Sequence, residues 1–441
     1  MGVTEPVRTR RPGYVPENHA HAVGRKGRGT RQRILRRAND LFVAHGFHGT
    51  SIEAIAKAAG GSRAVVYQYF EDKADIRSAL IEACDTELLQ HAQHLGPLSP
   101  DAAGLELMAD WLQELSELYD RHTAVFLEFP AIGFDQGMPA SPADAVSKRY
   151  LNTVARAVGA ADVRGSASPE STALALLRIV HMVNVYRSRG MFELDSSPTV
   201  SRSLAVAMQL MLFPDTPTGV AEYQFEIPAG VPLSSPVPTI DPNAAEVSPI
   251  RQDVLSAAST LFSQRGFHDV SMADIAVTAG VGRATVYRHF ASKLALLEEL
   301  SEWATLEGVR LADELLVLGV DGIQRNTLLG WLGRYARFHR NYGGVIRAWH
   351  DGDTVQMLPD DPTGYGQKPF HDAAMAVVGR VRLPDELSNE VAAAVFLAVL
   401  GRLSETAISR HPNVSDYGIA ELLVQVLERA LFSREWRVEQ G

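Results

Sequence analysis

Apolar residues return along this chain at spacings of three and four, and alternating β-branched runs are missing, so the pattern predicts helix nearly throughout. From Thr30, at a cap position, Ile34, Leu35, Ala38, Leu41 and Phe42 make one apolar face that Gly46 ends. A shorter face of Ile52, Ile55, Ala56 and Ala59 follows Thr50-x-x-Glu53, a capping-box spacing, and Gly60 supplies the left-handed conformation that stops it. Ser62 is placed to cap a third helix, Arg63 to Phe70. Two short helices across a tight glycine turn predict a helix-turn-helix, whose second helix suits a major groove. The same periodicity predicts further helices at 72–95, 102–120, 122–130, 142–158, 170–189 and 198–213.

The pattern then repeats at an offset of 220 residues. From Arg31 to Lys73 and from Arg251 to Lys293, 20 of 43 positions are identical without a gap. Ser248-Pro249 opens the second set, Gly280 makes its turn and Gly282 stands at the cap before Arg283. Helices are predicted at 249–265, 271–279, 283–290, 292–316, 321–341, 342–350, 367–380, 385–410 and 416–433. Trp111-Leu112 answers Trp331-Leu332, and Val125 answers Val345. The repeated unit is therefore a whole protein of about 190 residues, not a short solenoid element. Between the copies, residues 214–249 hold eight prolines among 36, which predicts a semi-rigid linker. The organisation expected is a basic arm at 1–25, a head at 26–73, a body at 74–213, a linker at 214–248, a second head at 249–293, a second body at 294–434 and a tail at 435–441.

Charge sharpens this division. The chain of 441 residues has a net charge of −10, but residues 1–73 carry +7 and residues 249–293 carry +2, leaving −19 for the remainder. Basic heads on acidic bodies suit a nucleic-acid partner with separate regulatory bodies. The longest apolar run, Val391 to Gly401, stops at Arg402, and no apolar stretch follows the N-terminal arginines, so neither a membrane span nor a secretory signal is expected. One cysteine, Cys84, allows neither an internal disulfide nor a thiolate metal site, and the expected location is cytoplasmic.

The repeated block resembles the N-terminal domain of the TetR family of bacterial transcriptional regulators. The resemblance rests on Gly46-Phe47, Thr50-Ser51, Ile55-Ala56, Ala59-Gly60, Tyr67, Phe70 and Lys73, and on Gly266-Phe267, Ser271, Ile275-Ala276, Ala279-Gly280, Tyr287, Phe290 and Lys293. It implies an all-α chain of two tandem TetR-like units, each a three-helix head on a helical-bundle body. It also implies duplex DNA as partner, with Tyr67, Tyr287, Lys73 and Lys293 on phosphates, alongside Ser51 and Ser271 at the start of the second helix. Base reading would fall to Arg63, Ala64, Val65, Gln68 and Tyr69, and to Arg283, Ala284, Thr285, Arg288 and His289, since Arg pairs with guanine and Gln with adenine. Arg25, Lys26 and Arg28 resemble a minor-groove arm.

The bodies carry aromatic stripes. Trp331, Tyr335, Phe338 and Tyr342 recur at helical spacing, with Trp349 beyond, and these together with His339 are the candidate lining of a small apolar or aromatic effector site that the resemblance implies; packed core is the competing reading. The polar residues Arg347 and His350 could orient such a ligand, and the first body offers Trp111, Tyr119, Phe126 and Phe129. Leu174, Leu177, Val180, His181 and Val185 in one body, and Ala393, Phe396, Leu397 and Leu400 in the other, form the faces expected to pair the copies into an intramolecular pseudo-dimer, with a four-headed homodimer as rival. No nucleophile elbow, phosphate loop, dinucleotide fingerprint or zinc-protease motif is present, and His91 and His94 read as surface histidines. The expectation is a regulator and not an enzyme, with no cofactor or metal: a repressor released by its effector, whose unlike heads read a non-palindromic operator. The alternative is a sensor or scaffold whose second head has lost DNA.

Overall fold

The structure is a computed structural model that describes residues 25–128, 142–161, 163, 167–216, 248–318, 323–349, 354, 357–358 and 362–432. The arm up to residue 24, linker residues 217–247, Phe129, His350 and the C-terminal residues from 433 lie outside the described residues.

Among the described residues the architecture is all-α and comes in two tandem units. The first contains α1 (Arg25–Gly49), α2 (Ile52–Ala58), α3 (Arg63–Tyr69), α4 (Lys73–Gln93), α5 (Ala102–Arg121), α6 (Thr123–Glu128), α7 (Pro142–Ala160), α8 (Pro169–Ser188) and α9 (Pro198–Leu212). The second contains α10 (Pro249–Arg265), α11 (Met272–Thr278), α12 (Arg283–His289), α13 (Lys293–Leu318), α14 (Arg325–Trp349), α15 (Pro362–Val378), α16 (Asn389–Arg410) and α17 (Asp416–Leu427). Helix α1 starts at Arg25 and not at Thr30, so Arg28 stands exposed on its first turns and not in an extended arm. One long helix, α14, replaces the two expected at 321–341 and 342–350. Its counterpart in the first unit breaks at His122, which leaves the helical region between α5 and α6.

That difference has a local cause. In the first unit Asn39 of α1 accepts a bond from the Ala124 backbone at 3.2 Å, anchoring the start of α6. In the second unit the equivalent position is Gly344, where a β-carbon would lie 2.4–2.5 Å from the backbone of Ser259 and Ser263 on α10. Glycine there lets α14 run on unbroken and press directly against α10.

The α16 segment is the helix whose length and hydropathy would suffice to cross a membrane, and 72% of that apolar window is buried inside the protein. It serves as core. Helices α8 and α9 pack on α16 and on the π-helical turn Glu428–Phe432 that continues α17, so the C-terminal helix pairs of the two units form one bundle. Leu174, Leu177, Val180 and Val185 are buried there, as are Ala393, Phe396, Leu397 and Leu400.

Two contacts in this arrangement join residues separated by the repeat offset itself. The rings of His48 and His268 lie 5.4 Å apart, and Arg402 Nε donates to Met182 Sδ at 3.2 Å. A residue meets its own equivalent only near a two-fold axis. The pair of heads and the pair of bodies are therefore related by one pseudo-two-fold running from the His48–His268 contact to the Met182–Arg402 contact.

Candidate nucleic-acid interface

In each head the first helix supplies the core that the other two lie on. Ile34, Ala38 and Phe42 of α1 pack with Ile55, Ala56, Val66 and Phe70, and Val254, Ala258 and Phe262 of α10 repeat the set with Ile275, Ala276, Val286 and Phe290. Gly60 and Gly280 adopt φ of 69° and 66°, the left-handed conformation the turn requires. The cap of α2 is Ser51, whose Oγ accepts from the Ala54 backbone at 3.1 Å; Thr50, expected at the cap, is buried instead and donates to the Gly46 carbonyl at 2.8 Å. Ser271 forms a complete capping box with Asp274. Both serines are exposed at the helix start, but their hydroxyls serve the helix first.

The third helix of each head presents one open face. Arg63, Ala64 and Gln68 are exposed, Val65, Tyr67 and Tyr69 half-buried, and Val66 alone points into the core. In the second head Arg283, Ala284, Tyr287 and Arg288 are exposed, Thr285 and His289 half-buried. Tyr67, one turn on from Arg63, raises the guanidinium pKa above its ordinary value. The expected base-reading residues are thus exposed or half-buried on α3 and α12.

Lys73 and Lys293, expected on phosphates, direct their ammonium groups to backbone carbonyls. Lys73 Nζ donates to the carbonyls of Phe47 at 2.5 Å and Thr50 at 2.8 Å, and sits 4.5 Å from the centre of the Phe47 ring. Lys293 repeats this on Phe267 at 2.5 Å and Val270 at 2.8 Å, with the Phe267 ring at 4.4 Å. Desolvation lowers the Lys293 ammonium pKa from its ordinary value, opposed by Asp269. Their side chains brace the loop between the first two helices. The carbonyls left open by Gly46 and Gly266 attract the cation, a need that motif spacing does not display.

The model of the bacterial regulatory proteins of the tetR family matches residues 34–80 and again residues 254–300. The chain carries two tandem copies of the TetR-type N-terminal domain. Among its relatives, the HTH-type transcriptional regulator UidR of Escherichia coli K12 is 38% identical over 61 residues, covering 14% of this chain and 31% of UidR. The regulator AcrR of Shigella flexneri is 42% identical over 59 residues, 13% of this chain and 27% of AcrR. The activator FasR of Mycolicibacterium smegmatis is 48% identical over 46 residues, 10% of this chain and 21% of FasR. The chain thus matches about a third or less of the length of these relatives. Among solved structures, the efflux-pump repressor SmeT of Stenotrophomonas maltophilia aligns with a TM-score of 0.31 at 23% identity, over 47% of this chain and 97% of SmeT.

In the bodies the aromatic stripe is packed on itself. Trp331 is fully buried and donates Nε1 to the Leu311 carbonyl at 2.9 Å, while Tyr335 stacks on it at 5.6 Å. Phe338 lies against Tyr335, Tyr342 and Phe370 at 5.9, 5.5 and 6.3 Å. Trp349 stands apart from the stripe, bonded through Nε1 to Ser301 at 3.1 Å. Trp331, Tyr335, Phe338 and Trp349 therefore behave as core; helical spacing shows that residues share a face, not whether neighbours fill it. Of the stripe, buried His339 Nδ1 has no hydrogen-bond partner among the described residues, and Tyr342 is half-buried beside Glu307, which raises its pKa together with desolvation. A groove of about 890 Å³ lies elsewhere, between α4, α7 and α8, lined by Gln93, Arg149, Asn152 and Arg156 among others.

The first body holds a polar core that the periodicity concealed. His91, read as a surface residue, is 3% exposed and sandwiched with Trp111 and Tyr150. Its Nε2 donates to the Trp111 carbonyl at 2.8 Å, leaving Nδ1 to accept from the Tyr150 hydroxyl at 2.9 Å. Burial lowers its pKa to about 4. His94 is exposed and pairs with Glu114 at 2.8 Å. Among the described residues no group of three or more His, Cys, Asp or Glu is arranged to hold a metal.

Proposed function

We propose that this chain is a DNA-binding transcriptional regulator whose two unlike heads read two unlike half-sites of one operator, and whose DNA affinity a small effector in a body lowers. The observation that carries the reading is the pattern of change between α3 and α12. Buried positions are kept, Val66 with Val286 and Phe70 with Phe290, as are the outward Arg63, Ala64 and Tyr67 with Arg283, Ala284 and Tyr287, while three other outward positions differ, Gln68 with Arg288, Tyr69 with His289 and Val65 with Thr285. A homodimer presents one helix twice and needs a palindrome; a fused pair does not. Gln68 would favour adenine and Arg288 guanine. KstR2 of Mycobacterium tuberculosis is named a repressor and FasR an activator, and the proposal here is repression. For the effector, His339 and Tyr342 replace the full aromatic stripe as contacts, with a small apolar or aromatic ligand that offers the imidazole a hydrogen bond.

Selection of duplexes from random DNA tests this reading. Two different half-sites on one element are expected, and a symmetric consensus overturns it. The second reading, a sensor whose second head is silent, is favoured by the charge of +2 on residues 249–293 against +7 on residues 1–73; it predicts preference at one half-site only.

A further inference from the structure

The surface joining the two halves is unlike on its two sides, and several of its unlike pairs are complementary in charge. At the crossing of α8 and α16, Met182 meets Arg402. The first half brings a buried Arg178 to this crossing, where the second half has Ala398 at the same repeat position; the second half brings Glu405, where the first has Val185. Glu405 is bonded to Arg402 at 2.7 Å. Burial alone would raise its pKa, but Arg402, Arg178 and Arg347 together hold the carboxyl well below the usual range. Arg202 of α9 reaches Glu386 of the second half at 2.7 Å, and the repeat equivalent of Glu386 is Ser166. Glu170 of α8 faces Arg410 at 3.7 Å. The helices differ in shape too, since α16 widens into a π turn at Val399–Leu403 and α8 stays regular.

We propose that this surface is a pairing lock that accepts a first half only against a second half and rejects both like pairings. Pairing two first halves leaves Arg178 facing Val185 where Glu405 stood, and leaves Arg202 without Glu386. Pairing two second halves brings two Arg402 guanidiniums together at the axis and sets Glu386 and its copy without Arg202. Like charges facing across a buried surface are the means by which interfaces exclude wrong partners. The partner this surface fits is the other half of the same chain, or the other half of a second copy exchanged through the linker.

The test cuts the folded full-length chain at a protease site inserted between residues 217 and 247, unfolds and refolds the mixture, and weighs the pairs by native mass spectrometry. Mixed pairs should dominate, with each like pair depleted roughly a hundredfold from its random share; a random distribution of pairs overturns the proposal. A second measurement needs no cutting and decides the matter where the cut halves do not reassemble. In the intact chain, Met182→Arg places two guanidiniums at the axis and should lower the melting temperature. Adding Arg402→Met restores one guanidinium there, still within reach of Glu405, and should recover most of the loss. If the double variant only adds the two single losses, the lock does not exist.

Discussion

Replacing Lys73 with alanine separates a bracing role from a phosphate contact. The ammonium makes two short charge-assisted bonds, to Phe47 and Thr50, and lies over the Phe47 ring. Hydrogen bonds involving a charged group contribute about 1.5–3 kcal/mol each, and a partly exposed cation–π contact about 0.5–1 kcal/mol. Discounted for partial exposure, the loss comes to about 3 kcal/mol, because two half-buried carbonyls are left without their donor. Thermal unfolding followed by circular dichroism should show the Lys73→Ala head melting several degrees below the parent, and Lys293→Ala should do the same to the second head. DNA affinity should fall with it, since α2 and α3 hang from the loop that Lys73 braces. The slope of log affinity against log salt should stay where it was. A lysine that neutralises a phosphate behaves in the opposite way: its removal makes that slope shallower by about 0.9 and leaves the fold intact. An unchanged melting temperature together with a reduced slope refutes the bracing role.

Stability should also fall with acid in a defined window. His91 has its pKa lowered to about 4 by burial, below the ordinary 6.5, so the unfolded chain binds the extra proton first. Its contribution is complete above pH 6.5, is lost as pH falls toward 4, and amounts to about 3 kcal/mol; His91→Gln should flatten that part of a denaturation profile, and an unaltered profile counts against it. Trp331→Ala should destabilise the second body by about 3–5 kcal/mol, as core truncations do, whereas Tyr342→Ala should leave stability nearly intact and weaken the effector response; ligand titrations on both variants distinguish them. Arg288→Gln should shift the preferred base of one half-site from guanine toward adenine by about 1–3 kcal/mol while the other half-site stays unchanged, read by competition binding.

The heads were legible in the sequence because their determinants are local. Glycine turns, caps and a three-and-four apolar rhythm recur at the same spacing twice, and the structure places α3 at Arg63–Tyr69 and α12 at Arg283–His289, within a residue of the periodicity. What periodicity missed depends on groups distant in the chain. Whether His91 faces water is decided by Tyr150, 59 residues later. Whether Lys73 is free for a ligand is decided by Phe47, 26 residues earlier. The break at His122 and its absence in α14 turn on how closely another helix approaches, which Ala124 and Gly344 signal only once the repeat is aligned. The complementarity of α8 and α16 was likewise in plain view as Met182 against Arg402, but only the crossing of the helices gives that pair a meaning.

The meeting of His48 with His268 inside one polypeptide changes how such a molecule responds to its own abundance. Two separate subunits must collide, so their paired form grows with the square of a scarce supply and thins out after dilution. Pairing within one chain is a unimolecular event, and its extent does not depend on how many copies a cell holds. Each recognition helix is also encoded once and used once. On the proposed reading of two unlike half-sites, a single nucleotide change alters half of the address and leaves the other half readable, whereas in a symmetric dimer the same change rewrites both halves together.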